Sequence, residues 1–95
     1  MRDYELVFII SPQIGDEDIE NVTKKVSQIV ANNGGEITEI KPWGRRRLAY
    51  PINRFRDGYY VATKLRLNPA SASELERSLR LTEEIIRYLL VKIGE

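Results

Sequence analysis

The chain has 95 residues, 15 Lys+Arg against 14 Asp+Glu for a net charge of +1, and a hydrophobic content of 42%. That length fits one domain over residues 1–95 with no room for a second core, and the apolar fraction argues against disorder. Cysteine and histidine are both absent, which excludes disulfides, thiolate metal sites and an imidazole general base; carboxylate-only Mg²⁺ or Ca²⁺ binding stays open, and no cofactor is expected.

Asp16-Glu17-Asp18 lacks the spacing and the glycine of a calcium loop and reads as a solvated helix start. No apolar run approaches the ~20 residues that span a bilayer. Asp3 and Glu5 come too early for a secretory signal. Cytoplasmic residence is the expectation.

In chain order, Tyr4–Ile10 is β-rich and apolar on both faces, as a central strand would be, and Ser11-Pro12 stops it. Asp16 is placed to cap a helix carrying Ile19, Val22, Val26, Ile29 and Val30 at helical spacing, which Asn33-Gly34-Gly35 ends. Glu36–Ile40 reads as a short strand interrupted by Pro42 and Gly44, with pairing resuming over Arg46–Ile52. Asp57-Gly58 is the turn signal of a hairpin leading into Tyr59–Leu67, and Asn68-Pro69 ends that arm. Ser71-Ala72-Ser73-Glu74 has the capping-box pattern, with Leu75 and Leu79 on the inward face of a second helix; Ile85–Val91 supplies the last strand.

The order β-α-β-β-α-β predicts an α+β fold, the ferredoxin-like split β-α-β sandwich: a four-stranded antiparallel sheet with two helices on one face. The other face is left free to meet a partner.

Charge is unevenly spread. Residues 41–56 carry six positive charges and no negative one, whereas residues 1–40 sum to −5 and residues 57–95 to zero. Trp43, Tyr50 and Phe55 interleave the basic run, a pattern suited to a phosphate backbone with exposed bases. Strand alternation predicts Leu48, Tyr50 and Ile52 inward, Arg46 where that face runs out, and Arg45 and Arg47 on the open side. Pro51 suits an edge strand. Charge on an edge also prevents aggregation, but three adjacent arginines repel one another and match bidentate phosphate contact better. Arg54 and Arg56, placed in the hairpin loop, extend the patch. Trp43, between a proline and a glycine, is expected at a bend; Tyr4, Tyr59, Tyr60 and Tyr88 are expected mainly in the sheet.

The segment Gly44-Arg45-Arg46-Arg47-Leu48-Ala49-Tyr50-Pro51-Ile52-Asn53 resembles the bacterial small-subunit ribosomal protein six family. The likeness extends to Arg2-Asp3-Tyr4-Glu5, to Gly58-Tyr59-Tyr60-Val61, and to Arg80 and Arg87. It implies a non-enzymatic component of the ribosome. The implied role is binding the central domain of small-subunit ribosomal RNA, at the platform, jointly with small-subunit protein eighteen. The RNA-binding candidates are therefore Trp43, Arg45, Arg46, Arg47, Arg54, Arg56, Arg80 and Arg87. The isolated chain is expected to be monomeric. Some members of the family carry a long charged C-terminal tail; here the sequence stops at Gly94-Glu95, and tail-borne contacts are not expected.

Three other readings of the fold are weaker. A stand-alone RNA-recognition-motif type of binder needs a basic residue and paired aromatics in one strand, where Asp57-Gly58-Tyr59-Tyr60-Val61-Ala62-Thr63 offers an acid and no second stacking pair. An acylphosphatase needs a glycine-rich phosphate cradle, where Ser11-Pro12-Gln13-Ile14-Gly15-Asp16 places one glycine beside an acid. A small-molecule regulatory domain needs a dimer interface and a pocket that no sequence feature announces.

Overall fold

The structure, a computed structural model, describes residues 1–94, so the final Glu95 of the Gly94-Glu95 ending lies outside the described residues. Its elements are β1 (Arg2–Ile10), α1 (Asp16–Asn32), β2 (Glu36–Ile52), β3 (Phe55–Leu67), a 3-10 turn (Pro69–Ser71), α2 (Ala72–Arg80) and β4 (Ile85–Lys92). The strands form one antiparallel sheet in the order β2-β3-β1-β4, the expected ferredoxin-like arrangement with β2 at an edge.

The core lies between the helices and one sheet face. Alternation along β1 sends Tyr4, Leu6, Phe8 and Ile10 inward, where they meet Val61, Leu65 and Leu67 of β3. Helical spacing brings Ile19, Val22, Val26 and Val30 of α1, with Leu75 and Leu79 of α2, onto the same layer. Buried Thr63 satisfies its hydroxyl by donating to the Leu6 carbonyl at 2.9 Å.

The helix ends differ from the sequence expectation. Gly15, which has no side chain to cap with, occupies the N-cap of α1; Asp16 is the first helical residue and its carboxylate is bound by Arg45. The capping box before α2 is not made either. Asn68 Oδ1 accepts from the Ala70 amide at 3.0 Å and starts a 3-10 turn that leads into the helix.

The hairpin is also displaced. Its turn is Asn53-Arg54, between the paired Ile52 and Phe55, and Asp57-Gly58 lies inside β3. Both turn residues have positive φ, 49° and 70°, as a two-residue turn matching strand twist requires. Gly58 is explained by packing: a Cβ there would collide with Ile9 Cγ2. Nor is β2 two short strands. It is one long strand that absorbs its irregularities as register shifts between Ile37 and Glu39, Pro42 and Gly44, and Arg47 and Ile52.

Candidate nucleic-acid interface

The shift at Pro42–Gly44 builds the site. Pro42 pairs with Val61 and Gly44 with Tyr60, which leaves Trp43 as the extra residue of a bulge. Gly44 has φ +87°, a conformation a residue with Cβ resists, so the strand turns there and Trp43 projects over the open face. Its ring lies 6.3 Å from that of Tyr60 at 17° between planes, and the Arg46 guanidinium sits 5.3 Å from the Trp43 centroid. Trp43 remains 45% exposed. The bend expected at Trp43 is thus a bulge.

The same extra residue changes which arginine faces which way. Arg45 pairs with Tyr59 and Arg46 with Gly58, so Arg46 shares the open face and Arg45 shares the helix-covered one. This is the reverse of the assignment from simple alternation. Arg45 Nη2 donates to Asp16 Oδ1 at 2.8 Å and to the Ile14 carbonyl at 3.0 Å. Arg47, opposite Asp57, lies on Arg45's side of the strand, not on the open side.

Tyr50 is likewise not a core residue: it is 60% exposed, with Arg87 Cζ 5.7 Å from its ring centroid. Leu48 is buried at 7%, but outside the helix-side cluster; two residues on from Arg46, it belongs to the open side, as does buried Ile9. Ile52 is half-buried.

The β2–β3 ribbon runs past the last β1 pair, Ile10 with Tyr59, and its tip reaches the start of β4. Ile52 and Asn53 there line a hollow of about 510 Å³ with Arg80, Arg87 and Tyr88. Arg80 Nη1 donates to the Tyr88 hydroxyl at 3.0 Å, and that hydroxyl lies 3.3 Å from Glu76 Oε1. Arg54 is in the exposed turn and Arg56 is exposed on β3. The fold therefore brings Arg80 and Arg87 to the end of the sheet reached by the 41–56 segment. Tyr60, expected as a sheet residue, is one, and it also supplies the ring that stacks on Trp43. Cross-strand register puts it, Ile9 and Arg87 in one row of the open face.

Among the described residues there is no group of three or more acidic side chains that could hold a metal ion. The acids of the α1 start, Asp16, Glu17 and Asp18, lie on the helix side, away from this row.

Fold and surface together define a small ferredoxin-like protein with one open sheet face carrying stacked rings and guanidinium groups. The chain belongs to the ribosomal protein S6 family, whose profile matches residues 3–92. The small ribosomal subunit protein bS6 of Moorella thermoacetica is 40% identical over 95 residues, spanning all of this chain and 97% of that protein. That of Desulforudis audaxviator is 41% identical over 92 residues, spanning 97% of this chain and 98% of that protein. The crystal structure of 30S ribosomal protein S6 from Thermotoga maritima superposes with a TM-score of 0.89 at 35% identity, over 96% of this chain and 86% of that one. The C-terminal domain of the MgtC protein from Mycobacterium tuberculosis has a TM-score of 0.61 at 18% identity, over 100% and 89% of the two chains; this likeness is of fold alone. The chain is a small-subunit ribosomal protein, a ribonucleoprotein component in translation.

Proposed function

We propose that the protein is a non-enzymatic structural constituent of the cytoplasmic small ribosomal subunit. On this reading it binds the central domain of small-subunit ribosomal RNA, at the platform, jointly with small-subunit protein eighteen. The observation that supports the RNA part is Trp43 with Tyr60 and Arg46 on the open face, Arg87 in the row of Tyr60, and Arg80 beside Arg87 at the hairpin tip. Cations fixed at set spacing contact phosphates and release counterions, while exposed rings meet bases.

The patch is modest. About 3–5 phosphate contacts supply too little for tight binding alone, so a partner protein completes the site. The acids of α1, Asp16, Glu17, Asp18 and Glu20, suit a basic partner on the helix side, away from the open face. The isolated chain is monomeric, its β2 edge guarded by Lys41, Arg46 and Arg47. The test is an Arg46→Ala/Arg47→Ala variant assayed for assembly on the central-domain RNA with protein eighteen. Weaker assembly at an unchanged melting temperature supports the proposal; undiminished assembly contradicts it.

A further inference from the structure

Beside Trp43 the open face holds a hollow of about 290 Å³, bounded by Trp43, Ala62, Lys41, Lys64, Glu5 and Glu39. One wall is the exposed indole. Trp43 and Tyr60 lie near-parallel, 6.3 Å between centroids and 17° between planes, with the Arg46 guanidinium 5.3 Å from the Trp43 centroid. The hollow beside the indole gives a planar group room to lie against Trp43.

The rim decides what kind of group. Lys41, Lys64 and Arg46 surround the indole, and Arg87 follows in the row of Tyr60. Glu39 is neutralised by Lys41 at 4.0 Å and by Lys64 at 3.9 Å, which leaves Glu5 as the uncompensated carboxylate. A protein partner docking by hydrophobic contact is favoured by an apolar rim. Here Lys41, Lys64 and Arg46 face Glu5 and Glu39, a small positive excess beside an exposed ring, which fits an unpaired base with its phosphates.

We infer that Trp43, backed by Tyr60 and Arg46, is a stacking site for one unpaired nucleobase of the bound RNA, with Arg46 and Lys41 holding the flanking phosphates. The proposal rests on the RNA-binding reading above and goes further in assigning a ligand group to one side chain and a role to Tyr60. The bulge serves this purpose: without the extra residue, Trp43 would fall in the ladder opposite β3.

Trp43 is the one tryptophan of the chain, so its emission reports on the site directly. The experiment titrates the full chain with a fluorophore-labelled central-domain RNA fragment, with and without the partner protein. It follows labelled-RNA anisotropy and tryptophan emission together, and repeats the anisotropy with Trp43→Leu and Trp43→Phe. The expected result is saturable quenching of Trp43 in step with RNA binding. Trp43→Leu should lose about 5- to 100-fold in affinity, with its salt slope unchanged because no phosphate contact is removed. Trp43→Phe, which keeps a ring, should recover part of the loss, and that recovery separates stacking from misfolding.

RNA binding with unchanged emission, or with undiminished affinity in Trp43→Leu, overturns the stacking site and leaves the RNA reading standing. Quenching by the partner protein in the absence of RNA also overturns it, by assigning the platform to protein contact. No RNA binding with or without the partner removes both the reading and the inference.

Discussion

Arg45 and Asp16 are joined across the molecule, Nη2 to Oδ1 at 2.8 Å, so that the first arginine of the basic run ties strand β2 to the start of helix α1. The Ile14 carbonyl takes a second bond from the same nitrogen at 3.0 Å. Arg45 is thus engaged within the protein, while Arg46 and Arg47 carry no side-chain bond to a protein acceptor among the described residues. Arg45→Ala is expected to reduce RNA affinity less than Arg46→Ala or Arg47→Ala does. Its stability cost is up to about 1 kcal/mol, because the pair is solvent-exposed. Parallel RNA titrations and urea melts of the three single variants check both parts. An Arg45→Ala loss of affinity equal to the other two would make Arg45 a direct phosphate ligand.

Leu48 and Tyr50 separate packing from surface. Leu48→Ala empties a buried position and is expected to cost about 2–3 kcal/mol. Tyr50→Ala removes an exposed ring whose one aromatic contact is with Arg87, and it should stay within about 0.5 kcal/mol of the parent. Urea midpoints decide it; a Tyr50→Ala loss as large as that of Leu48→Ala would return Tyr50 to the core.

Arg54 holds φ +70° in the hairpin turn, where a side chain with Cβ is strained and glycine is not. Arg54→Gly is expected to raise stability by roughly 0.5–1 kcal/mol. It should also lower the RNA salt slope by just under one, if Arg54 meets a phosphate. A destabilised Arg54→Gly protein would mean that the arginine side chain supports the turn in some other way.

Glu84 gives the acid limb of stability a specific component. Its own backbone amide, then the Lys25 ammonium 3.1 Å away, hold its carboxyl below the usual 4.5 despite partial desolvation. A depressed folded-state pKa means that the stabilisation is fully present above about pH 4.5 and is lost as the pH falls through the folded value. Thermal melts are expected to show parent and Glu84→Gln converging as the pH drops below that point and separating above it. Equal separation at every pH would show that the ion pair between α1 and the start of β4 contributes nothing titratable.

Much of this architecture is legible in the residues. Apolar spacing along Tyr4–Ile10 and from Ile19 to Val30 names the core, because burial is what those patterns record. The site is legible only by composition. Alternation is a count of two, and the unpaired Trp43 adds one, which sets the faces of the paired Arg45, Arg46 and Arg47 until the next shift between Arg47 and Ile52. Tyr50 lies within that second irregularity, where local alternation is no guide to its face. Asp57-Gly58 looks like a turn because glycine marks both tight turns and close packing; here Ile9 imposes the packing. Asp16 looks like a cap but is the first helical residue, and a distant arginine, invisible to local reading, takes its carboxylate.

RNA binding completed by a partner is tested by the salt dependence of affinity for the central-domain RNA fragment, with and without small-subunit protein eighteen. The expected result is weak binding by this chain alone, with a log–log slope of about −2 to −4 from ~3–5 phosphate contacts, and much tighter binding of the pair. Binding by the chain alone as tight as that of the pair, or affinity that does not change with salt, would contradict it.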